Sequence, residues 1–387
     1  MTSTSSHANI TNWRTQPHSR WAFHNVGDII PTAVIPASQV PWILREATMA
    51  LEGFALTLPS GGGMSLDRFL QATATDAIVV LHDGQIVFET YANGTTRTTP
   101  HILMSATKSV VGLLAEILAA KGVLRTDALV SDYVPEICKS AYAGAMIRDL
   151  LDMRTGLLFS DAELKAYTAA TQWERLEPGA PATGFADFFS GLAGKNSGHG
   201  GAFKYLSPNT DLLGWAIERA TGQTIATLIS THLWQPLGAE TDAAITLDRK
   251  GLARCTGGLC ATARDLARLG QLLVEGGARD GKVVVPATVI DDIVANADRT
   301  AWRDGEWGKS FSALARQMAY GSGWYIIDDA PQTLFAMGIH GQNLFVDRSN
   351  RLVVAKLSSQ AEPIDFPAIG LTHMAVAAFR RCLTARA

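Results

Sequence analysis

The distribution of apolar and polar positions divides the chain into a strand-rich start, a helical middle and a strand-rich end. Ala77-Ile-Val-Val-Leu81 and Gln85-Ile-Val-Phe-Glu-Thr-Tyr91 are two β-prone runs on either side of His82-Asp83-Gly84. Two such runs around Asp-Gly predict a β-hairpin, because the tight turn needs positive φ at its centre. Residues 105–121, SATKSVVGLLAEILAAK, are apolar on nearly every side and are followed by Gly122. That pattern predicts a buried central helix with a glycine stop. Helical spacing recurs over Ile147–Met153, Thr210–Ala220 and Thr262–Val274, the last ended by Gly276-Gly277. Beyond Gly321, strands are predicted over Gly323–Ile327, Thr333–Met337, Asn343–Asp347 and Arg351–Leu357, with Asp347–Asn350 as a hairpin loop. A helix near Phe366–Thr384 closes the chain.

Strands at both ends with helices between them predict an α/β (α+β) fold, in which both termini build one antiparallel sheet and the middle is a helical insertion. The expected divisions are an N-terminal arm over 1–40, an α/β subdomain over 41–125 and 321–387, and a mainly helical inserted subdomain over 126–320. Gly61-Gly62-Gly63 marks a loop. There is no internal repeat and no long low-complexity tract.

At 387 residues the chain exceeds what one compact core usually holds, which agrees with two packed subdomains. Hydrophobic residues make up 47% and charged residues 18%, a globular rather than disordered composition. The formal net charge is −3, so there is no basic excess to hold a nucleic-acid backbone. The first residues contain no apolar signal-peptide core, and the longest apolar stretch, Val110–Ala120, is interrupted by Glu116. These features predict a cytoplasmic protein that does not enter a membrane. Cys138, Cys255, Cys260 and Cys382 lack the spacing of a zinc or redox pair and read as free thiols.

Several motifs are absent. There is no Gly-x-Ser-x-Gly elbow and no His-Glu-x-x-His zinc site. Gly305-Glu-Trp-Gly-Lys-Ser310 has the outline of a phosphate-binding loop, but two residues separate its glycines where four are needed. The segment reads as an ordinary loop.

Ser105-Ala-Thr-Lys108 opens the apolar helix. Residues three apart share a helical face, so Lys108 can reach the Ser105 hydroxyl. Free N–H groups at a helix start can stabilise a developing oxyanion, and the positive field there joins burial in disfavouring an ammonium. A lysine followed by Val-Val-Gly-Leu-Leu-Ala is poorly placed for solvation, and a neutral lysine can act as a base toward serine.

With these residues the sequence resembles the Ser-x-x-Lys serine hydrolases of the β-lactamase and penicillin-binding-protein superfamily, and within it the class C-like esterases, amidases and nylon-oligomer hydrolases. The resemblance is carried by Ser19-Arg-Trp-Ala-Phe23, His101-Ile-Leu-Met-Ser-Ala-Thr-Lys-Ser109 and Tyr205-Leu-Ser-Pro-Asn-Thr-Asp211. Cys260-Ala-Thr-Ala-Arg-Asp-Leu-Ala-Arg268 and Gly338-Ile-His-Gly-Gln-Asn-Leu344 complete it, so it spans most of the chain. It implies a β-lactamase/DD-peptidase-like fold, with Tyr205 and Ser207 in the family's Tyr-x-Ser motif. Tyr205, drawn toward phenolate by a nearby ammonium, would shuttle a proton to the leaving group. The family's Lys-Thr-Gly or His-x-Gly strand falls on Ala336-Met337-Gly338 here. The cationic residue is replaced by alanine, which puts β-lactam turnover in doubt. The backbone role passes to Ser105 and Ile339, whose N–H groups would form the oxyanion hole. Asn209 and Thr256 are candidates to face the cleft. Trp324 is either a sheet-core residue or a border of the acyl pocket, and His340 either packs beside its glycine turn or enters the pocket. Tyr167 and Trp173 are candidates to shape substrate entry.

The resemblance thus implies cleavage of amide or ester bonds in small linear substrates, ω-amino-acid oligomers among them, through an acyl-enzyme that needs no metal or organic cofactor. The alternatives are a β-lactamase or D-Ala-D-Ala carboxypeptidase, and a non-catalytic binding protein on the same fold. The partner expected is a small amide or ester substrate, with a homodimer as the candidate assembly.

Overall fold

The computed structural model describes residues 7–49, 51, 53–58 and 61–384. Twelve strands frame the site. The chain begins with β1 (Thr32–Ile35), β2 (Arg45–Glu46), β3 (Thr75–His82), β4 (Gln85–Tyr91) and β5 (His101–Ile102). The middle supplies β6 (Ala243–Thr246) and β7 (Leu259–Ala261). The end supplies β8 (Met318–Gly321), β9 (Trp324–Ile327), β10 (Thr333–Gly338), β11 (Gln342–Asp347) and β12 (Leu352–Ser358). The five helices that matter here are α1 (Leu66–Ala72), α2 (Thr107–Ala120), α3 (Ser207–Thr221), α4 (Ala263–Val274) and α5 (Phe366–Thr384).

The large sheet has the order β8-β9-β10-β11-β12-β3-β4-β2. Its pairings are antiparallel except at the edge, where β2 runs parallel to β4. The two ends of the chain meet where β12 pairs with β3, Val354 opposite Val80 and Ala355 opposite Val79. The β3–β4 turn carries Asp83 at φ +48° and Gly84 at φ +75°, the backbone that Asp-Gly favours.

Both faces of the sheet are covered, which explains why its central strands read as continuous apolar runs. Val79, Leu81, Leu344, Val353 and Ala355 face the core that contains α2 and α4. Ile78, Val80, Phe345 and Val354 face the core that contains Phe69 of α1 and Val376 and Phe379 of α5. The period of two sends neighbouring residues to opposite cores. α2 touches the sheet's far end closely. A Cβ placed on Gly112 would sit 1.8 Å from the Ser322 carbonyl oxygen, so the helix approaches the β8–β9 turn only as glycine.

Within the stretch expected as an N-terminal arm, Trp13, Phe23, Val26 and Ile30 form a buried cluster with Ile102, Met104 and Trp173. The reason is apolar content that a polar-looking segment hides at wide spacing. The stretch expected as a mainly helical insertion also contributes strands. A second sheet, β1-β6-β7-β5, joins strands of the middle to strands of the beginning.

Gly112→Ala is expected to destabilise the fold by about 1–3 kcal/mol through overpacking, measured from the denaturant midpoint. Gly370→Ala, in the open on α5, is expected to be neutral or to stabilise by up to about 1 kcal/mol.

Candidate active site

Ser105 lies in a tight 3-10 turn, Met104–Ala106, that feeds into α2 at Thr107. The helix therefore starts two residues later than its apolar pattern suggests. The turn runs straight into the helix, so Ser105 and Lys108, three residues apart, share one face. Met104, just ahead of the serine, has φ +47° although it is not glycine, a costly conformation held by the surrounding core. Lys108 is 2% exposed. Its Nζ donates to Ser105 Oγ at 3.0 Å and to the Thr256 carbonyl at 2.8 Å. It also lies 4.9 Å from the centre of the Tyr205 ring.

Burial holds the Lys108 ammonium well below its usual pKa; the Arg254 charge pushes the same way and Asp211 opposes it. Those two charges form a buried ion pair with each other. Tyr167 OH donates to Asp211 Oδ2 at 2.6 Å, and the Thr256 N–H donates to Asp211 Oδ1 at 2.9 Å. The Arg254 guanidinium also sits 5.0 Å from the Tyr167 ring and 4.9 Å from the Trp173 ring. The network fixes Thr256, and Thr256 fixes the lysine. A lysine biased toward the neutral amine at this distance can take a proton from the serine hydroxyl.

Tyr205 stacks on Trp307, with centroids 4.4 Å apart and planes 16° apart. Burial raises its phenol pKa well above the ordinary value, with the Ser105 and Tyr325 hydroxyls pulling partly back. This shift runs against the pull toward phenolate that a neighbouring ammonium exerts. The lysine is itself driven toward neutrality, so no firm positive charge is left to draw the phenol's proton away. A phenol held protonated in this way can give up its proton to a stronger base.

The end of β10 closes the other side. A Cβ on Gly338 would lie 2.4 Å from the Leu103 carbonyl oxygen and 3.0 Å from Ser105 N. Only glycine lets this strand run so close, and the approach brings Ile339 beside Ser105. Ile339 begins a short 3-10 turn, where an N–H has no acceptor within the turn. Ser105, Tyr205, Gly338 and Ile339 line one cavity of about 190 Å³, walled by Trp307, Phe311, Tyr325, Met337 and Phe366. Ala336 faces the core instead and is 1% exposed.

The remaining candidates fall elsewhere. Thr256 serves through its backbone, while its hydroxyl donates to the Ser207 carbonyl; neither residue lines the cavity. Asn209 is fully buried among helices and accepts from Tyr142 OH at 2.9 Å and Thr155 Oγ1 at 3.2 Å. Trp324 belongs to the α2 core; strand alternation gives the cavity face to Tyr325. His340 is buried at φ +62°, with Nδ1 2.8 Å from the Gln360 carbonyl and its ring against Phe23. Tyr167 and Trp173 pack behind the lysine rather than at an entrance. Sequence reasoning missed Trp307, Phe311 and Asp365 as wall residues. The first two sit in and beside the Gly305–Ser310 loop, whose aromatic content was the available signal. Among the described residues no three His, Cys, Asp or Glu side chains gather as metal ligands would. No described helix is long and apolar enough to cross a membrane.

The beta-lactamase family model matches residues 66–379. A 6-aminohexanoate-dimer hydrolase of Paenarthrobacter ureafaciens is 33% identical over 360 residues, which cover 92% of this chain and 88% of that protein. The solved structure named "Putative 6-aminohexanoate-dimer hydrolase from Bacillus anthracis" superposes with a TM-score of 0.87 at 24% identity, covering 100% of this chain and 99% of that one. A family VIII carboxylesterase structure gives 0.58 at 17% identity, covering 82% and 95%.

Covalent labelling of Ser105 by a fluorophosphonate is expected to speed up as pH rises through the Lys108 pKa, with a midpoint well below the ordinary 10.5. Asp211→Asn removes the charge that favours the ammonium and should move the midpoint to lower pH, whereas Arg254→Gln should move it higher. Midpoints that stay put in both variants would show that Lys108 is not the titrating group.

Proposed function

The chain belongs to the beta-lactamase family and is a serine hydrolase of amide or ester bonds; from that premise we propose that it acts on small linear substrates through an acyl-enzyme on Ser105. The observation that carries this reading is the buried Lys108 Nζ 3.0 Å from Ser105 Oγ.

Ser105 Oγ attacks the carbonyl carbon as its proton passes to neutral Lys108. Negative charge gathers on the carbonyl oxygen, where the N–H groups of Ser105 and Ile339 meet it. Tyr205, kept as a neutral phenol, gives its proton to the leaving nitrogen or oxygen as the carbon–heteroatom bond breaks, and recovers a proton from the lysine side. Water then attacks the ester carbonyl, and the same groups run in reverse to release the acid and restore Ser105. The Paenarthrobacter relative is named for the 6-aminohexanoate dimer, a linear amide, and the apolar cavity suits a chain of methylenes. Buried Ala336 leaves no cation at the position where lactam-binding relatives keep one, so β-lactams are poor substrates in this reading. A cytoplasmic address and a homodimeric assembly belong to the same proposal and rest on the sequence alone.

The test is a panel of p-nitrophenyl esters, 6-aminohexanoate dimer and nitrocefin. Ser105→Ala is expected to lose at least about 10³-fold in kcat, with nitrocefin the slowest substrate of the wild type. Tyr205→Phe should slow amide cleavage more than ester cleavage, because an amine leaves only once protonated. An active Ser105→Ala variant would remove the nucleophile, and equal losses on both bond types would remove the tyrosine's role as acid.

A further inference from the structure

The cavity that holds Ser105 is walled mostly by neutral groups. Trp307, Phe311, Tyr325, Ile364, Phe366 and Ile369 give it a broad apolar surface. Among the described residues that line it, Asp365 is the one with a charged side chain. A carboxylate at the edge of an apolar wall discriminates strongly between ligands by charge, because water and counter-ions screen it less there than in the open.

Asp365 is held firmly. It stands at the start of α5, where its Oδ1 accepts from the Ala368 N–H at 3.0 Å and its carbonyl accepts from the Ile369 N–H at 2.9 Å. This is a helix cap, and the cap alone would account for an aspartate. It engages one of the two carboxylate oxygens, and a carboxylate has capacity for further donors. The cap therefore pre-orients the group without saturating it. The residue is half-buried, so a ligand group that reaches it loses only part of its hydration.

We propose that Asp365 is a specificity determinant that receives the terminal ammonium of an ω-aminoacyl chain, whose methylenes lie along the aromatic wall while its carbonyl sits at Ser105. This deepens the preceding reading and rests on it for the place of the carbonyl. A chain of the same length ending in methyl gains the apolar contacts and not the charge pairing. One ending in carboxylate meets repulsion.

The experiment compares three anilides of one length: 6-aminohexanoyl-, hexanoyl- and 5-carboxypentanoyl-p-nitroanilide. Wild type should prefer them in that order. Asp365→Asn retains a side-chain oxygen for the Ala368 N–H and so keeps the cap; an unchanged thermal midpoint checks this. The variant should lower the amino-over-neutral ratio of kcat/KM by about tenfold or more, with the change in KM, and should narrow the gap to the carboxylate substrate. Direct calorimetric titration with hexylamine needs no turnover and should show the same loss of affinity in Asp365→Asn. A ratio and a hexylamine affinity that the variant leaves unaltered would overturn the proposal, as would a wild type with no preference for the amino substrate. Hexylamine binding that depends on Asp365 in a protein that cleaves none of the anilides would instead sink the reading of small linear amides as substrates and keep the ammonium site.

Discussion

The constraint on which the site depends is the burial of one amine. Lys108 is enclosed between the Ser105 hydroxyl, the Thr256 carbonyl and the face of Tyr205. An ammonium without full hydration is costly, so the side chain is pressed toward its neutral form. A neutral amine can act as a base, the role proposed for it, and the fixed acceptor at Thr256 keeps it beside the serine. The nearest full charges, Arg254 and Asp211, are paired with each other. They bias the lysine in opposite directions, and the pair's main contribution is to hold the segment that carries Thr256.

The fold supplies this burial by bringing distant parts of the chain together. Ser105 and Lys108 come from the start of α2, Tyr205 from the residues before α3, Thr256 from the loop before β7, and Ile339 from the end of β10. Two glycines set the spacing. Gly112 lets α2 lie against the β8–β9 turn, and Gly338 lets β10 run beside the serine's own backbone. The closure of the sheet between β12 and β3 makes these approaches consistent with one another, since it ties the strand after Gly338 to the hairpin before Ser105.

Tyr205 shows how the same burial assigns roles. The hydroxyl and the amine are both taken from water, which favours the neutral form of each. In the proposed mechanism one serves as the acid and the other as the base, and proton transfer between them through Ser105 needs no charge separation at the start. The aromatic wall that covers Tyr205 also shapes the cavity, so the groups that tune the acid and the groups that receive the substrate are partly the same residues, Trp307 and Tyr325 among them.

The sequence by itself determined the elements and the contact between Ser105 and Lys108. Alternating and helical periods placed the β3–β4 hairpin, α2, α4, α5 and the strands β9 to β12, because those signals are local and depend on which side of an element faces a core. Ser-x-x-Lys ahead of an apolar run was equally local, since three residues of spacing fix the reach. What only the tertiary structure decided lies in contacts between remote segments. Trp324 and Tyr325 are adjacent and equally aromatic, and the pleat alone assigns one to the core and the other to the cavity. Asn209 and His340 look like polar candidates in one dimension, yet each is consumed by buried partners far along the chain. The burial that raises the Tyr205 phenol pKa is of the same kind: it depends on desolvation, a property of everything packed around a group and of nothing in its own neighbourhood of sequence.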